Sequence, residues 1–430
     1  MTAGITRRAA LGLFGGSALG ASLAACGGGS GGSSGSSGSG GGHTTLTMAN
    51  YDTTQQAAVT DKVTAAFKQQ TGISVTLDSL PGSGAAIYPG KLRTEMLGGK
   101  APDVFRCWGG SIAQPFITSR QVISLDPVYT QYGWDAKLSA PNVKDMTFNG
   151  VKYGLPLWAS AVGVWYRADD YSKAGVSVPT TFAEVETVNA ALVKAGIQPW
   201  LAGGKYGWYV MRFFEWFLEM TAGPDEHDKL RNSETSWNTS SVVDAFGILQ
   251  KWAKNKWLPD GVMGLDPTQV EANFTGGKGA MALDGQWIEQ NIVAATMAPS
   301  SYGTFIPPTD QSQLRFSGFT EGLFVTAESG KAADDEKLLN FFTSVSSQEL
   351  DQNAYTTVTA APPISGYAGT AQWTKWLAQH DHYVIQDQSL STSLANAYFN
   401  IQSNVVQGTQ TPAAAAAAMQ QAAGASKSGT

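Results

Sequence analysis

The stretch Phe67-Lys68-Gln69-Gln70-Thr71-Gly72-Ile73-Ser74-Val75 joins the end of a helical pattern to the start of a strand pattern. Apolar residues recur at helical spacing up to Phe67, and Gly72 stands where a helix C-cap belongs. Ile73–Leu77 then alternates as a strand, and Leu46–Ala49 upstream has the character of a short buried strand. Strand, helix and strand in this order predict an α/β fold with a parallel sheet and right-handed crossovers.

The alternation of strands and helices continues beyond this unit. A helical pattern closed by Gly98-Gly99 precedes a third short strand, Asp103-Val104-Phe105. In such sheets ligands bind beyond the carboxyl ends of the strands. We therefore expect Asn50-Tyr51-Asp52 and Trp108-Gly109-Gly110 at the ligand edge.

Later segments give a coarser pattern. The stretch Trp208 to Met220 is apolar almost all round, which indicates a helix buried within the protein. The last helix has Pro412 at its first turn and Gly424 just past its end. The remaining predictions are two helices, at 246–253 and 337–345, and two strands, at 281–283 and 322–326.

The first 26 residues have the features of an export signal. Thr6-Arg7-Arg8 resembles a twin-arginine signal, and Ala9 to Ala25 is uncharged and largely apolar. The segment ends in Leu23-Ala24-Ala25-Cys26, which resembles the bacterial lipoprotein processing box. We therefore expect lipid attachment at Cys26 and a position on the extracytoplasmic face of the membrane. An ordinary secretion signal with a chance cysteine is the alternative.

Residues 27–42 consist only of Gly and Ser, which predicts a flexible tether with a reach of about 20 Å. If Cys26 is lipidated, Cys107 has no partner for a disulfide. The following body of about 390 residues exceeds a usual single domain, so two lobes are expected. The net charge is −6 and no dense Lys/Arg run occurs, which argues against nucleic acid and anionic lipid as partners.

Four segments resemble one family, the extracellular solute-binding proteins of the maltose- and oligosaccharide-binding type. Residues 67–75 look like its "F-x-x-x-T-G-I-x-V" stretch, and residues 99–105 look like its "G-x-A-P-D-V" strand entry. Residues 148–156 look like its "NGK-YG-P" crossing, and residues 274–287 look like its "GK-A-M … G-W" hairpin. The chain departs from the family at Tyr166-Arg167-Ala168, where Tyr-Asn-Lys is common.

The resemblance implies a two-lobe periplasmic-binding-protein-like fold of type II, with a multi-segment hinge and the ligand held between the lobes. We expect residues 43–155 plus about 308–355 in lobe 1, and about 156–307 plus 356–430 in lobe 2. The resemblance also implies an ABC permease and its ATPase as partners, a carbohydrate ligand, no cofactor and no catalysis. We expect a monomer.

A sugar site needs aromatic rings to cover the C–H faces of a pyranose, and carboxylates or amides to bind its hydroxyls. The chain has 13 Trp and 14 Tyr. Several lie after predicted strands or at the start of the aromatic helix, although core packing is an alternative for each. The expected ligand contacts are Tyr51, Asp52, Trp108, Trp158, Trp208, Tyr209, Gln286, Trp287, Phe319 and Glu321.

Other functions stay open at this stage. A phosphorylated or amino-sugar ligand is possible, because Arg106 or Arg315 could face the cleft. A secreted glycoside hydrolase would share an aromatic cleft, but would need two carboxylates across the scissile bond. A ligand sensor for a membrane kinase would share both the fold and the binding event. Neither spacing nor composition predicts a metal site.

Overall fold

The computed structural model describes residues 44–51, 54–80, 84–350, 355–359, 361 and 366–428. The proposed signal, Cys26, the Gly/Ser tether and Asp52 lie outside the described residues. Among the described helices, none combines the length and apolar character needed to cross a membrane.

Strands and helices alternate along the described chain. The strands are β1 (Thr45–Asn50), β2 (Ser74–Ser79), β3 (Val104–Trp108), β4 (Thr147–Phe148), β5 (Val151–Lys152), β6 (Gly154–Arg167), β7 (Trp200–Leu201), β8 (Met281–Gly285), β9 (Tyr302–Phe305), β10 (Phe316–Val325), β11 (Tyr355–Thr356) and β12 (His382–Val384). The helices are α1 (Thr54–Thr71), α2 (Gly84–Leu97), α3 (Gly110–Thr118), α4 (Asp126–Tyr132), α5 (Ala140–Asp145), α6 (Ala168–Ala174), α7 (Phe182–Lys194), α8 (Trp208–Arg231), α9 (Ser240–Lys254), α10 (Val270–Thr275), α11 (Ile288–Ala294), α12 (Ala332–Phe342), α13 (Val345–Leu350), α14 (Ala368–Gln379), α15 (Gln386–Ser389), α16 (Thr392–Val406) and α17 (Pro412–Ser428).

The first three strands form the parallel unit that the sequence predicts, in the order β2-β1-β3. Gly72 follows α1 with φ 76°, which is the left-handed conformation expected of a helix C-cap. Asp103 fixes the register of β1 on β3, because its Oδ2 accepts hydrogen bonds from the Thr47 amide at 2.7 Å and the Thr47 hydroxyl at 2.9 Å.

The parallel sheet predicted from the alternation of strands and helices holds for this unit, and the rest of the sheet is mixed. Strand β10 runs antiparallel to β3 on one side and to β6 on the other. The first half of β6 pairs with β10, and its second half pairs with β8 and β9. Strands β6 and β10 therefore connect the β1–β3 unit to the later part of the sheet, as the predicted crossing near residue 154 requires.

Helix α8 is buried over its first three turns, as its apolar sequence predicts. Phe214 stacks on Phe246 of α9 with ring centroids 4.0 Å apart. At Gly223, φ 75° and ψ 166° interrupt the helix immediately before Pro224. Trp252 of α9 is fully buried among the aromatic rings of α8.

A polar stripe on α8 carries Arg212, Glu215 and Glu219, all of them buried. Glu219 binds Arg315 Nε at 2.7 Å and contacts His227 Nδ1 at 2.6 Å. Arg315 is therefore engaged inside the fold, and the alternative that it faces a cleft is not supported. Because burial disfavours the charged form, the pKa of Glu215 rises to about 8 despite hydrogen bonds from the Gln386 amide and the Ser317 hydroxyl.

Several predicted boundaries are corrected by the structure. Trp158 lies within β6, Phe319 and Glu321 lie within β10, and Trp108 is the last residue of β3, whereas all four were expected after or before these strands. Strand β10 begins at Phe316 because pairing with β6 and β12 outweighs the weak strand preference of its Ser, Gly and Glu residues. Gly424 lies inside α17, and α12 ends at Phe342.

Replacing Gly322 of β10 by Ala should destabilise the fold by about 1–3 kcal/mol, because the added Cβ would lie 2.2 Å from the carbonyl oxygen of Leu155 on β6. Gly247 of α9 is the matched control, since nothing lies within 4 Å of its added Cβ. There Ala should leave stability unchanged or raise it by up to about 1 kcal/mol. Urea unfolding curves measure both, and equal midpoints for G322A and the unmodified chain would contradict the close approach.

Glu215 should make stability depend on pH. Its pKa is 4.5 in the unfolded reference and about 8 in the fold, so the stability that it contributes is lost as pH rises from 4.5 to 8. Glu215→Gln keeps a neutral side chain at every pH. We expect the free energy of unfolding of E215Q, relative to the unmodified chain, to increase by a few kcal/mol between pH 5 and pH 8.5. A constant difference across this range would show that Glu215 is ionised in the fold.

Candidate ligand-binding site

Aromatic side chains meet at the carboxyl ends of β1 and β3. Tyr51 stacks on Trp108 with ring centroids 4.5 Å apart and an interplanar angle of 24°. Tyr88 of α2 contacts both rings edge-on, at 5.4 Å and 6.4 Å. The structure therefore brings Tyr51 and Trp108 together at the edge where the sequence predicts a ligand.

Glu321 connects this edge to the crossing strands, since it faces Trp108 on β3 and Trp158 on β6. Its Oε2 accepts hydrogen bonds from the Tyr51 hydroxyl at 2.5 Å and from Arg106 Nε at 2.8 Å. The Arg106 guanidinium carbon lies 4.1 Å from the ring centroid of Trp158. A buried ion pair is therefore held between aromatic rings.

We call this set the Glu321 group. Its members are Tyr51, Tyr88, Arg106, Trp108, Trp158 and Glu321.

Phe319 lies on the same face of β10 as Glu321, because side chains two residues apart on a strand point the same way. Its ring centroid is 5.7 Å from that of Trp287, which follows β8. Thr320 points to the opposite face, where its hydroxyl accepts a hydrogen bond from Asn142 Nδ2 at 2.8 Å. Strand β10 therefore leads from the Glu321 group to Trp287 along one face.

Gln286, a predicted ligand contact, uses its amide within the fold. Its Nε2 donates to the Ala159 carbonyl at 3.1 Å and to the Ser160 hydroxyl at 3.3 Å, and its Oε1 accepts from the Ala161 amide at 3.2 Å. The side chain is 2% exposed. Its geometry is that of a residue that holds β8 against β6.

A second cationic side chain, that of Arg212, lies among aromatic rings at the start of α8. The Arg212 guanidinium carbon is 4.6 Å from the Trp208 ring centroid, 4.7 Å from that of Tyr209 and 5.3 Å from that of Trp287. Arg212 Nη1 donates to Asp284 Oδ1 at 2.7 Å, in a buried ion pair at the end of β8. Trp208 and Trp287 remain partly exposed.

Three carboxyl groups interact electrostatically with this guanidinium. Burial raises the pKa of Glu271 to about 8, with a further rise from Asp284. Arg212 opposes that rise, as do hydrogen bonds from Trp287 and Asn291. Burial also raises the pKa of Asp284, and it raises that of Asp387 to about 6, again against the charge of Arg212.

We call this set the Arg212 group. Its members are Trp208, Tyr209, Arg212, Glu271, Asp284, Trp287 and Asp387.

Asp387 also touches the β3 side of the molecule. Its carbonyl accepts a hydrogen bond from the Ser111 hydroxyl of α3 at 2.8 Å. Gly110, with φ 61°, allows this contact, because a Cβ there would lie 2.0 Å from the Gln388 carbonyl oxygen. Helix α15 thus packs on the start of α3, two to three residues after Trp108.

Comparison with known proteins identifies the family. A profile of bacterial extracellular solute-binding proteins matches residues 50–349. The chain belongs to this family. The described architecture also matches solved structures of a chitin oligosaccharide binding protein (21% identity, TM-score 0.80, 90% of this chain and 100% of that one) and of the GacH receptor of Streptomyces glaucescens (17%, 0.74, 88% and 97%). The solute-binding family's two-lobe α/β fold of type II is therefore the fold of this chain.

Relatives in sequence are more distant. An uncharacterised ABC transporter extracellular-binding protein of Pyrococcus horikoshii is 24% identical over 287 residues, which cover 65% of this chain and 63% of the relative. The osmoprotective compounds-binding protein GgtB of Synechocystis is 22% identical over 207 residues, 47% of this chain and 48% of that protein. The chain thus aligns with less than two thirds of the length of these family members.

Four charged residues of the Arg212 group were absent from the predicted contacts: Arg212, Glu271, Asp284 and Asp387. One signal for Arg212 exists in the sequence, since it is a lone cation one turn after Trp208 in an otherwise apolar stretch. Asp284 directly follows the apolar run of β8, which is a second signal. Nothing local marks Glu271 or Asp387, because tertiary packing alone brings them to Arg212.

The Arg106–Glu321 pair gives a stability test. Glu321→Leu should cost about 3–5 kcal/mol, because it leaves the buried Arg106 guanidinium without its carboxylate. The double variant R106M/E321L should recover most of this loss, since apolar side chains of similar volume replace the pair. A double-mutant cycle from denaturant unfolding measures the coupling. Additive losses in the double variant would contradict a mutually dependent pair.

Proposed function

We propose that this chain is the extracytoplasmic substrate-binding component of an ABC importer, and that it captures a carbohydrate without altering it chemically. The ligand in this proposal is a mono- or oligosaccharide. Membership of the solute-binding family supports capture as the activity. The choice of carbohydrate depends on the side chains of the site.

The observation that carries the proposal is the continuous face along β10. It carries aromatic rings on either side of one carboxylate, from Tyr51 and Trp108 through Glu321 to Phe319 and Trp287. Rings cover the apolar C–H faces of a pyranose, while carboxylates accept hydrogen bonds from its hydroxyls. This composition suits a polyhydroxylated ring better than an apolar ligand or a peptide.

Hinge closure is the proposed mode of capture. We propose residues 43–155 plus about 308–355 as lobe 1 and about 156–307 plus 356–430 as lobe 2, and the double pairing of β6 supports this division. The Glu321 group then lies mainly on lobe 1 and the hinge strands, and the Arg212 group on lobe 2. A ligand that contacts both groups would shift the open–closed equilibrium by its differential affinity.

We propose that the predicted contact residues bind the ligand. Most of them lie in the two groups or between them. Trp108, Trp158, Phe319, Glu321, Trp208, Tyr209, Trp287 and Tyr51 all belong to the two groups or to the face between them. Gln286 has its amide engaged, and Asp52 lies outside the described residues. We propose in addition an ABC permease and its ATPase as partners, a lipid anchor on Cys26, and action as a monomer.

Thermal unfolding of residues 43–430 against a panel of mono- and oligosaccharides tests the function. A ligand at a hundred times its dissociation constant should stabilise the fold by about 2.7 kcal/mol. Product analysis of the same samples should find the sugar unchanged. No shift with any sugar would refute the carbohydrate assignment, and a new product would indicate a hydrolase.

A variant pair then tests the site. Trp287→Leu should weaken the affinity for the sugar found in the panel by at least about tenfold, because a ring that stacks on a sugar contributes about 1.4 kcal/mol or more. Trp376→Leu is the matched control, since Trp376 is also partly exposed but lies on α14 against Trp373. Calorimetry measures both affinities. Equal losses in the two variants, or no loss in W287L, would exclude Trp287 from the site.

A further inference from the structure

The Arg212 group has an excess of carboxyl groups. Asp284 is paired with Arg212 at 2.7 Å, and this contact occupies the one cation that acts electrostatically on all three carboxyls. Among the described residues, no lysine, arginine or histidine forms an ion pair with Glu271 or Asp387. Two half-buried carboxyls of the group, those of Glu271 and Asp387, therefore lack an ion-pair partner of their own among the described residues.

Unsatisfied polar atoms lie in the same group. In the described part of the chain, Asp387 Oδ1 is a buried acceptor without a hydrogen-bond partner. Arg212 Nε and Trp208 Nε1 are buried donors in the same condition, and Arg212 as a whole is 5% exposed. Because buried polar atoms are nearly always hydrogen-bonded, this combination indicates a ligand that offers both donors and acceptors at this point.

The aromatic rings define the kind of donor. Trp208, Tyr209 and Trp287 surround the guanidinium of Arg212, and their electron-rich faces stabilise positive charge. Trp287 is also hydrogen-bonded to Glu271, so the partly exposed ring and a carboxyl without a cation lie side by side. Rings beside carboxylates are a suitable environment for an ammonium group.

We propose that the Arg212 group binds a protonated amine of the ligand between Glu271 and Asp387, so that the site selects an amino sugar over its neutral counterpart. The inference rests on the proposed function. The hydroxyl oxygens next to the amine would accept hydrogen bonds from Arg212 Nε and Trp208 Nε1. An anionic ligand such as a phosphorylated sugar would oppose the ionisation of the two carboxyls and should therefore bind more weakly than the amine form.

The protonation of Glu271 and Asp387 agrees with this assignment. With pKa values of about 8 for Glu271 and about 6 for Asp387, both groups hold protons that a neighbouring cation would displace. Asp284, Arg212 and Tyr209 are the other titratable groups that act on Glu271 or on its neighbours. Binding of an ammonium ligand should thus release protons from the protein, and binding of a neutral sugar should not.

Three sugars that share one ring and differ in a single substituent provide the test. Glucose, N-acetylglucosamine and glucosamine, each as the monomer and as β-1,4-linked oligomers, differ at one position in carrying a hydroxyl, an acetamide or an amine. Calorimetry at pH 6 in two buffers of different ionisation enthalpy gives the affinity and the protons released. We expect the amine form to bind at least about tenfold tighter than the other two, with proton release.

Single substitutions test whether Glu271 and Asp387 select the amine form. Glu271→Gln and Asp387→Asn should each reduce the affinity for the amine form about tenfold more than they reduce the affinity for neutral sugars. Asp169→Asn, at an exposed position on α6, is the matched control and should change neither affinity. Thermal unfolding without ligand verifies that each variant is folded. Equal losses for amine and neutral forms would assign the two carboxyls a structural role and overturn the proposal.

The remaining outcomes separate this inference from the proposed function. If a neutral form binds as tightly as the amine form, or if only neutral sugars of the wider panel bind, amine selection is refuted and carbohydrate capture stands. If no sugar of either panel binds, both proposals fail.

Discussion

The pairing of β6 with β10 is the interaction on which the rest of the structure depends. Strand β10 lies between β3 and β6, so it joins the parallel unit at the start of the chain to the strands that follow residue 162. The same pairing places Glu321 opposite both Trp108 and Trp158. Gly322 permits the approach, because no side chain fits between it and the Leu155 carbonyl.

Buried charge is the second constraint, and only some of the buried ionisable residues that the structure describes have an ion-pair partner. Arg106 with Glu321, and Arg315 with Glu219, are compensated by direct ion pairs. Glu215 and Glu271 have no ion pair among the described residues, and burial raises the pKa of each to about 8. Since a neutral carboxyl costs less to bury than a charged one, proton uptake stabilises these positions. Such carboxyls are also those whose protonation a bound cation would change.

The predictions from sequence were most accurate where the signal is local. Helix α1, its Gly72 cap and strands β1 and β2 follow from hydrophobic spacing and one glycine, and all are confirmed. The start of β10 was missed, because Ser317, Gly318 and Glu321 have little intrinsic preference for a strand and are held there by two neighbouring strands. The ion pairs of Arg212 with Asp284 and of Glu219 with Arg315 were missed, because each joins residues far apart in sequence.

The sequence by itself determined the α/β class, the family through four short segments in register, and the set of aromatic residues from which a site can be built. Tertiary structure alone decided which of them meet. Tyr51 and Trp108 stack, whereas the Gln286 amide is engaged by β6. Asp284 and Asp387, which lie 72 and 175 residues from Arg212 in sequence, both interact with its guanidinium. The strength of each interaction depends on the distance between the charges in space. Spacing along the chain carries no measure of that distance, so the chemistry of the site is a property of the folded protein.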